Sequence, residues 1–428
     1  MTAKPHPKLC DYDACTGCGA CQQVCPYNAI EMKLDDEGFQ RPVILDSCIQ
    51  CGLCSKVCPV LEKPNVERNS PPEAYVMWHN DETIRRVSAS GGAFGVFADD
   101  VLERGGVVFG AAYNPDFTVS MHKAESKEQL EPLRGSKYVQ SFTGDSYQQV
   151  KHLLSQGRPV LYAGLSCQVA GLYGYLGGDH EKLLTLDLAC HGVPSVTVFQ
   201  AYVQYMSQKL GSPVEAVNQR SPIDWSELIQ YRVAIQTADG KTHYRTAQND
   251  LFSNGFLSSV FLRPSCYQCP YRSLPRIADV TIGDFFGLGT IKPFNKDTRN
   301  GVSQILVNSE KGRQAVVANA DQMFYEQRDL FECLAYNTSL WKPSSKNPRR
   351  EAFFRDFQSQ PFEALVKPYF GQSIKAKCLR FIRTMIKGCI GHRRSAKLYY
   401  YYRKSTGELE KLRARIAVPA EQQQGLKL

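Results

Sequence analysis

The chain has 428 residues, a formal net charge of +9 and a hydrophobic content of 43%, including 11% aromatic residues. This composition is ordinary for a globular protein, and no segment approaches the roughly 18 apolar residues that a membrane-spanning helix requires. An integral membrane protein is therefore excluded, and the length allows a large domain beside a small one.

Eight of the sixteen cysteines stand near the N-terminus in two copies of the motif C-x-x-C-x-x-C-x-x-x-C-P. The copies are offset by 33 positions, from Cys15 to Cys48, as in a duplicated half-domain. In the bacterial ferredoxin arrangement three closely spaced thiolates hold one 4Fe-4S cluster, and the fourth crosses to the other cluster. We therefore predict a two-cluster domain over residues 1–62, with cluster 1 held by Cys15, Cys18, Cys21 and Cys58 and cluster 2 held by Cys48, Cys51, Cys54 and Cys25.

Structural zinc sites and disulfides are the two alternatives for these eight cysteines. Zinc sites usually draw four ligands from separated pairs, which two triplets each followed by Cys-Pro do not resemble. Disulfides need an oxidising compartment, and the polar segment Met1 to Leu9 has no apolar run of the secretory type. We therefore expect a reducing compartment, the cytoplasm.

The prolines within Glu62 to Pro72 mark a linker, and beyond it short β-branched runs alternate with helical stretches. This alternation predicts a large α/β domain of mixed architecture over residues 73–360, to which the ferredoxin module is an appendage. The predicted strands are Ala74–Trp78, Gly106–Tyr113, Pro159–Ala163, Leu183–Cys190, Ile229–Gln236, Val280–Ile282 and Ser303–Val307. The predicted helices are Gly92–Arg104, Ser146–Gln156, Gln168–Leu176 and Val196–Leu210.

Four further cysteines fall in loops of this body. Cys167 and Cys190 each follow a predicted strand, and Cys266 and Cys269 form a C-x-x-C in a turn-rich stretch. Loops beyond strand ends are where open α/β sheets place their sites. The residues alone leave three interpretations open: a third 4Fe-4S cluster, a zinc site built from the same four, or buried structural thiols.

Several strings stand in order along the chain: SGGAF at 90–94, GGVVFGA at 105–111, LRGSKYVQS at 133–141, CHGVPS at 190–195, RPSC at 263–266 and the segment 279–286. Together with the cysteine motifs they resemble the beta-subunit family of coenzyme F-420 hydrogenases and dehydrogenases, over roughly Cys15 to Gly312. The resemblance implies a flavin enzyme that binds FAD, carries 4Fe-4S clusters and exchanges electrons with an organic hydride acceptor or donor. It also implies that Cys167, Cys190, Cys266 and Cys269 hold a third 4Fe-4S cluster close to the flavin. Ser166 and Phe286 replace the usual Pro and Trp, and neither change removes a ligand.

The candidate flavin-binding residues are inferred from their chemistry and their place in the sequence. No G-x-G-x-x-G opens a strand-helix unit, so a Rossmann mode is not supported. Ser90, Gly91 and Gly92 instead precede a predicted helix, where glycines let backbone N–H groups approach a pyrophosphate. Arg134 and Lys137 could neutralise the remaining phosphate charge. A plain helix start and a solvated surface pair are the alternatives.

Two polar residues are weak candidates for catalysis. Asp284 stands at a predicted strand end, where a carboxylate could bond the flavin ribityl chain or a substrate, or simply form a turn. His191 follows a candidate cluster ligand and could supply a proton, since its ordinary pKa is near neutrality, or it could orient the loop by hydrogen bonding.

The C-terminal extension, residues 361–428, is strongly basic. Between Lys367 and Ile416 there are fourteen lysines and arginines against two glutamates. Apolar residues at helical spacing from Ile374 to Cys389 predict a basic amphipathic helix. Such a helix could lie peripherally on the inner membrane face, dock an acidic partner, or pack on the core. Four cysteines without partners at ligand spacing are interpreted as structural or free thiols: Cys10, Cys333, Cys378 and Cys389.

The leading hypothesis is an iron-sulfur flavoprotein oxidoreductase. Flavin exchanges electrons in pairs or singly, whereas a 4Fe-4S cluster moves one electron at a time. The expected partners are an electron carrier such as a ferredoxin, or a hydrogenase or dehydrogenase subunit, and a small-molecule hydride acceptor. The alternative is an electron-transfer subunit of a larger complex, with clusters but no substrate chemistry of its own. A nucleic-acid-binding regulator is not expected, because regulators seldom need a low-potential relay.

Overall fold

The computed structural model describes residues 7–221 and 232–370, together with Gly407 and Glu410. The helix predicted in the basic extension lies outside the described residues, as do the first residues of the strand predicted over Ile229–Gln236. The longest described helix has 15 residues, and none that the structure describes is long and apolar enough to cross a bilayer.

The N-terminal module repeats one small unit twice. Its elements are helix α1 (Ala20–Gln23), strands β1 (Ile30–Leu34) and β2 (Gln40–Ile44), which pair antiparallel, and helix α2 (Leu53–Lys56). Each helix starts directly after a left-handed glycine, Gly19 at φ 75° and Gly52 at φ 76°, a conformation that other residues adopt at a cost. The two glycines are 33 positions apart, so the backbone carries the same duplication as the cysteine motifs.

A nine-stranded mixed sheet forms the centre of the body. Its strands are β3 (Glu73–His79), β4 (Val107–Tyr113), β5 (Val119–Ala124), β6 (Ser141–Phe142), β7 (Val160–Gly164), β8 (Leu183–Leu188), β12 (Val280–Asp284), β13 (Ser303–Val307) and β14 (Met323–Arg328). They lie side by side in the order β14-β3-β13-β12-β8-β7-β4-β5-β6. Strands β4, β7, β8 and β12 are mutually parallel, and β3 shares their direction because β13 is antiparallel to both β12 and β3. Five strands therefore end at one edge of the sheet, which is the edge where α/β sheets place their sites.

Helices cover both faces of this sheet. Alternate strand residues point to opposite faces, so Val107 and Phe109 pack with α6 (Ser146–Ser155) and α7 (Ser166–Leu176), whereas Val108 packs with α4 (Ala93–Glu103). The predicted mixed α/β body is thus confirmed. The other helices on this sheet are α3 (Glu82–Val87), α5 (Lys127–Leu130), α10 (Glu310–Ala318) and α11 (Leu330–Tyr336).

A second core lies beside the sheet. An antiparallel three-stranded sheet packs there with four helices; the elements are α8 (Val196–Leu210), β9 (Val214–Ser221), β10 (Arg232–Thr237), β11 (Thr242–Thr246), α9 (Leu251–Leu257), α12 (Arg350–Phe357) and α13 (Phe362–Leu365). This core continues past residue 360, since Phe362, Leu365, Tyr369 and Phe370 are all buried in it. The body therefore extends into the segment that we predicted to belong to the basic extension.

The N-terminal module docks deeply on the body and is not an appendage. Phe39, from the β1–β2 turn, is fully buried in the second core against the Phe354 ring, with centroids 6.0 Å apart. Glu37 accepts a hydrogen bond from Arg350 Nη1 at 3.0 Å, and its carbonyl accepts one from Ser195 Oγ at 2.6 Å. A cysteine motif cannot reveal such docking, because the contacts join residues more than 150 positions apart.

Most predicted elements match the structure to within two residues at each end. The strand predicted to Cys190 ends at Leu188, so Cys190 lies in the loop beyond it. The prediction missed the polar strands β5, β9, β11 and β14, all of which lie at or next to a sheet edge, where strands often carry charged residues.

A buried ion pair outside the two cysteine motifs gives a test of this packing. Glu332 and Arg328 have fully buried side chains, joined at 2.8 and 3.1 Å, and Glu332 also accepts the Gly289 N–H at 2.7 Å. Glu332→Ala removes the buried carboxylate of this pair and leaves Arg328 with only the half-buried Glu326 carboxylate, at 2.9 Å, so we expect the apparent free energy of unfolding in urea to fall by about 3 kcal/mol.

The matched control for this variant is Glu310→Ala, which removes the exposed i,i+3 pair with Arg313. We expect a change within about 0.5 kcal/mol for the control. Equal losses in the two variants would show that the Glu332 site is not desolvated in the way described.

Candidate functional site

The first cysteine recess gathers Cys15, Cys18, Cys21 and Cys58 around a space of about 360 Å³. Three of these cysteines come from the first motif, and the fourth comes from the end of the second motif. Cys15, Cys18 and Cys58 are buried, whereas Cys21 is half-buried. The fold thus places Cys58 beside the three cysteines of the first motif, and their binding of one shared cluster stays a prediction.

The second cysteine recess gathers Cys25, Cys48, Cys51 and Cys54 around about 320 Å³. The Ala29 N–H lies 3.3 Å from the Cys25 sulfur and donates to it. This recess faces outward: Cys51 is exposed, and apolar side chains beside it are exposed as well, namely Tyr27 (54%), Ile49 (56%) and Leu53 (38%).

A fifth cysteine lines the first recess. Cys10 borders the same space as the other four and interacts with the thiols of both Cys15 and Cys58. Hydrogen bonding to Cys10 lowers the pKa of Cys15 and of Cys58, which favours their thiolate forms. No sequence pattern indicated this contact, because Cys10 stands outside the motif and its neighbour Cys58 is 48 positions away.

The four body cysteines also converge. Burial raises the pKa of Cys167, and the nearby thiols of Cys269, Cys190 and Cys266 raise it further. Cys167 follows β7 at the start of α7, Cys190 follows β8, and Cys266 lies in the 3-10 turn Pro264–Gln268. The Val193 N–H donates to the Cys266 sulfur at 3.3 Å. We call these four cysteines the core set.

Buried arginines surround the core set. Arg272 and Arg276 are 4% and 1% exposed, and both lower the pKa of Cys190 and Cys269 against the larger opposing effect of burial. Arg276 Nη2 is held by Asp187 at 2.8 Å and by Ser166 Oγ at 2.6 Å. Positive charge of this kind favours thiolates and anionic clusters over neutral thiols.

The first recess and the core set lie against each other. A Cβ added to Gly171 in α7 would lie 2.9 Å from Cys18 Cβ, and one added to Gly174 would lie 2.5 Å from the Val57 carbonyl. The fully buried Tyr147 hydroxyl stands 2.9 Å from the carbonyl oxygens of both Cys18 and Gln168. Helix α7, which starts at the core set, therefore packs directly on the loop of the first recess.

The donor chemistry of the three sets fits 4Fe-4S clusters. Within the described residues no group of three or more histidine, cysteine or acidic side chains is placed to hold a single metal ion. The cysteines of the two recesses instead stand around cavities, and a cubane needs thiolates spread around its corners. N–H donors near the sulfurs, at Cys25 and Cys266, add the hydrogen bonds that such clusters accept.

The predicted pyrophosphate loop is anchored to the sheet. Ser90 Oγ donates to the Val302 carbonyl at 2.8 Å, and the Gly91 N–H donates to Ser303 Oγ at 2.9 Å. Gly92 takes the left-handed conformation, at φ 88°, directly before α4. The loop therefore lies at the carboxyl edge of the sheet, and the Ser90 hydroxyl and the Gly91 N–H have partners within the protein. Its role at a pyrophosphate stays a prediction.

The two predicted phosphate cations are also engaged. Arg134 donates to Glu131 at 3.0 Å and lies 3.7 Å from the buried Asp99 carboxylate. Lys137 Nζ donates to the carbonyls of Pro132 and Arg134 at 2.7 and 2.6 Å, and burial lowers the pKa of Lys137 to about 7. Their role at a phosphate stays a prediction.

Asp284 is the last residue of β12 and forms a bidentate ion pair. Arg220 Nη1 and Nη2 donate to its two oxygens at 2.6 and 3.1 Å, and Nη1 also lies 3.4 Å from the Tyr138 hydroxyl. The Tyr138 ring stacks on Phe256, with centroids 4.8 Å apart. Asp284 thus stands at the predicted strand end, within a polar and aromatic group that the sequence did not reveal.

His191 lies at the other side of this aromatic group. Its Nε2 is 3.1 Å from the Phe256 carbonyl and 3.2 Å from Ser259 Oγ. Burial, assisted by the nearby Arg272, lowers the pKa of His191 to about 4. The imidazole is therefore neutral near pH 7, with an N–H that donates to the Phe256 carbonyl, an arrangement suited to orienting the loop.

Gln304 is a polar residue that sequence reasoning missed. It is 1% exposed on β13, and within the part of the chain that the structure describes neither polar atom of its carboxamide has a hydrogen-bond partner. It stands opposite Gly283, where an added Cβ would lie 3.3 Å from Gln304 Nε2 and 3.4 Å from Asn337 Nδ2. A glutamine within the apolar run of a central strand is the signal that could have found it. These residues form a polar group at the carboxyl edge of the sheet.

Comparison with known proteins identifies two families along the chain. A family model for the C terminus of the coenzyme F-420 hydrogenase/dehydrogenase beta subunit matches residues 157–330, and the 4Fe-4S dicluster domain matches residues 14–61. No curated protein matches the chain. Among solved structures, a chain from the xenon-derivatised F-420-reducing nickel-iron hydrogenase complex of Methanosarcina barkeri is similar, with a TM-score of 0.42 and 17% identity over 72% of this chain and 94% of that one.

The contact between α7 and the first recess can be tested at Tyr147. Tyr147→Phe removes a buried hydroxyl shared by the Cys18 and Gln168 carbonyls, so we expect the apparent free energy of unfolding to fall by about 1–2 kcal/mol. The control is Tyr175→Phe on the outer side of α7, for which we expect a change within about 0.5 kcal/mol. Equal stability of Tyr147→Phe and wild type in urea titrations would contradict the shared hydrogen bond.

Proposed function

We propose that this chain is an iron-sulfur flavoprotein oxidoreductase, because it belongs to the coenzyme F-420 hydrogenase/dehydrogenase beta-subunit family and carries an N-terminal 4Fe-4S dicluster domain. It passes electrons between a ferredoxin-like redox partner, 4Fe-4S clusters, FAD and an organic hydride acceptor or donor. The observation that carries the proposal is the convergence of twelve cysteines in three sets, two of which lie against each other.

The cysteine sets supply the ligands of three clusters. Bound there, 4Fe-4S clusters supply one-electron transfer. The first recess would hold cluster 1 through Cys15, Cys18, Cys21 and Cys58, the second recess would hold cluster 2 through Cys25, Cys48, Cys51 and Cys54, and the core set would hold the third through Cys167, Cys190, Cys266 and Cys269.

The second recess is the set that reaches the surface. It has an exposed cysteine, whereas the first recess has three buried ones, and the core set packs against the first recess through α7. The exposed residues Tyr27, Ile49 and Leu53 give the second recess an apolar rim, which suits the docking of an electron-carrier protein. The partner side of the protein is therefore the second recess.

The buried arginines hold the inner sets in an electropositive setting. Arg272 and Arg276 lie near the core set, and Arg263 lies near both Cys15 and Cys266. Net charge and hydrogen bonds to sulfur set the potential of an iron-sulfur cluster. The buried side chains of Arg263, Arg272 and Arg276 would therefore offset the negative charge of cluster 1 and of the third cluster.

The flavin is proposed to bind at the carboxyl edge of the sheet. FAD supplies the exchange between paired and single electrons. Asp284 and the carboxamide of Gln304 offer polar groups there, beside the closely packed Gly283, and the Ser90–Gly92 loop with Arg134 and Lys137 stands near the same edge. His191 and Asp284 remain the candidates for handling a substrate proton.

An electron-transfer subunit without substrate chemistry is the second candidate function. The matched family is named for one subunit of hydrogenases and dehydrogenases, so the partner of this chain would then be another subunit of such an enzyme. This function would need the three cysteine sets but not the flavin. We propose a cytoplasmic location for either function, with membrane-surface or acidic-partner contact through the basic extension.

The core set can be tested by metal analysis. Anaerobically reconstituted wild type should contain about twelve irons per chain, and Cys167→Ala/Cys269→Ala should contain about eight, because two thiolates cannot retain the third cluster. The control is Cys333→Ala, a buried cysteine in a different core, which should keep about twelve. Eight irons in all three proteins, or zinc in place of the missing iron, would overturn the third cluster.

Flavin content separates the two candidate functions. The same wild-type sample should show flavin absorption bands above the broad iron-sulfur shoulder and should release about one FAD per chain. Full iron with no flavin would favour the electron-transfer subunit.

Arg263 should control the potential of cluster 1. Arg263→Met removes a buried cation 3.5 Å from the Cys15 sulfur, so we expect the midpoint potential to become more negative, with a smaller shift in Arg263→Lys. Redox titrations followed by electron paramagnetic resonance measure this shift. The control is Arg350→Met, which removes a buried arginine of the same docking interface that pairs with Glu37. Equal shifts in the Arg263→Met and Arg350→Met proteins would point to altered docking instead of charge.

A further inference from the structure

Five thiols line the first recess, one more than a cubane can use. The four that match the motif are joined by Cys10, which interacts with Cys15 on one side and with Cys58 on the other. Among the described residues, the second recess is bordered by four cysteines only. The extra thiol therefore distinguishes the two halves of an otherwise duplicated module.

The segment that carries Cys10 is held in place at both ends. Ser55 Oγ in α2 donates to the Lys8 carbonyl at 2.6 Å, which ties the segment to the helix between the second and first recesses. The N–H groups of Ala14 and Cys15 both donate to the Asp11 carbonyl at 3.0 Å, which closes a turn directly after Cys10. Cys10 is thus positioned at the recess by its backbone.

We propose that Cys10 is an alternative ligand of cluster 1 that can take the place of Cys58; this inference rests on the proposed function. Exchange keeps the number of ligands and the oxidation state unchanged. The iron–sulfur bond to Cys58 breaks as one to Cys10 forms, and the proton that the Cys10 thiol gives up passes to the Cys58 sulfur.

Cys58 is the ligand that Cys10 replaces, because Cys15 is held more strongly. Arg263, which is fully buried, donates to the Cys15 carbonyl at 2.7 Å and lies 3.5 Å from its sulfur. Displacing the Cys15 thiolate would remove the sulfur that this buried cation contacts, which is costly. Cys10 also interacts with Cys58, for which the structure shows no such arginine contact among the described residues.

The test measures iron and acid-labile sulfide per chain in anaerobically reconstituted proteins. Cys58→Ala and Cys10→Ala should each keep the wild-type iron content, whereas Cys10→Ala/Cys58→Ala should lose about four irons. The matched control is Cys54→Ala in the second recess, which should lose about four irons by itself. If Cys58→Ala loses as much iron as the double variant, the proposal is wrong.

Alkylation of Cys10 gives a second readout that does not depend on iron stoichiometry. Iodoacetamide at alkaline pH should modify Cys10 slowly in the native wild type, where hydrogen bonds to Cys15 and Cys58 and burial raise the pKa of this half-buried free thiol, and should not modify it in folded Cys58→Ala, where it would be bound to iron. Modification to the same extent in both proteins would overturn the proposal. Absence of iron from the wild type itself would instead refute the proposed function.

Discussion

One buried guanidinium joins the N-terminal module to the body. Arg263 is fully buried and donates to the Cys15 carbonyl and the Gln40 carbonyl, each at 2.7 Å, and to the Gln140 side chain at 3.1 Å. It directly precedes the turn that carries Cys266, so a single residue connects the first recess with the core set. Burying a cation is unfavourable unless anions and acceptors surround it. The sulfur ligands on both sides provide that setting.

The two recesses of the N-terminal module follow most directly from the sequence. The spacing of the two motifs predicts which thiols share a cluster, and the fold places Cys58 in the first recess and Cys25 in the second. The predicted α/β body was confirmed, because its central strands are continuous apolar runs between helices. Local patterns of this kind depend on neighbours in sequence, which a single chain displays directly.

The remaining site residues depend on contacts that sequence spacing does not encode. Cys10 meets Cys58 and Arg220 meets Asp284 only after the module and the sheet have packed. Gln304 differs, because a glutamine in the apolar run of β13 is visible in the sequence, yet only burial shows that its carboxamide lacks a partner among the described residues. Arg134 and Lys137 were predicted to contact a phosphate from their charge alone. In the structure both side chains donate hydrogen bonds to acceptors within the protein, Arg134 to Glu131 and Lys137 to the Arg134 carbonyl.

An anomalous difference map from crystals of the anaerobically prepared protein, recorded on both sides of the iron K edge, would locate the clusters directly. We expect three strong iron peaks: one in each recess of the N-terminal module, and a third at the core set beyond the ends of β7 and β8, adjacent to the first recess across α7. Peaks that persist below the iron edge and rise at the zinc edge, or a core set whose sulfurs enclose no iron, would contradict this expectation.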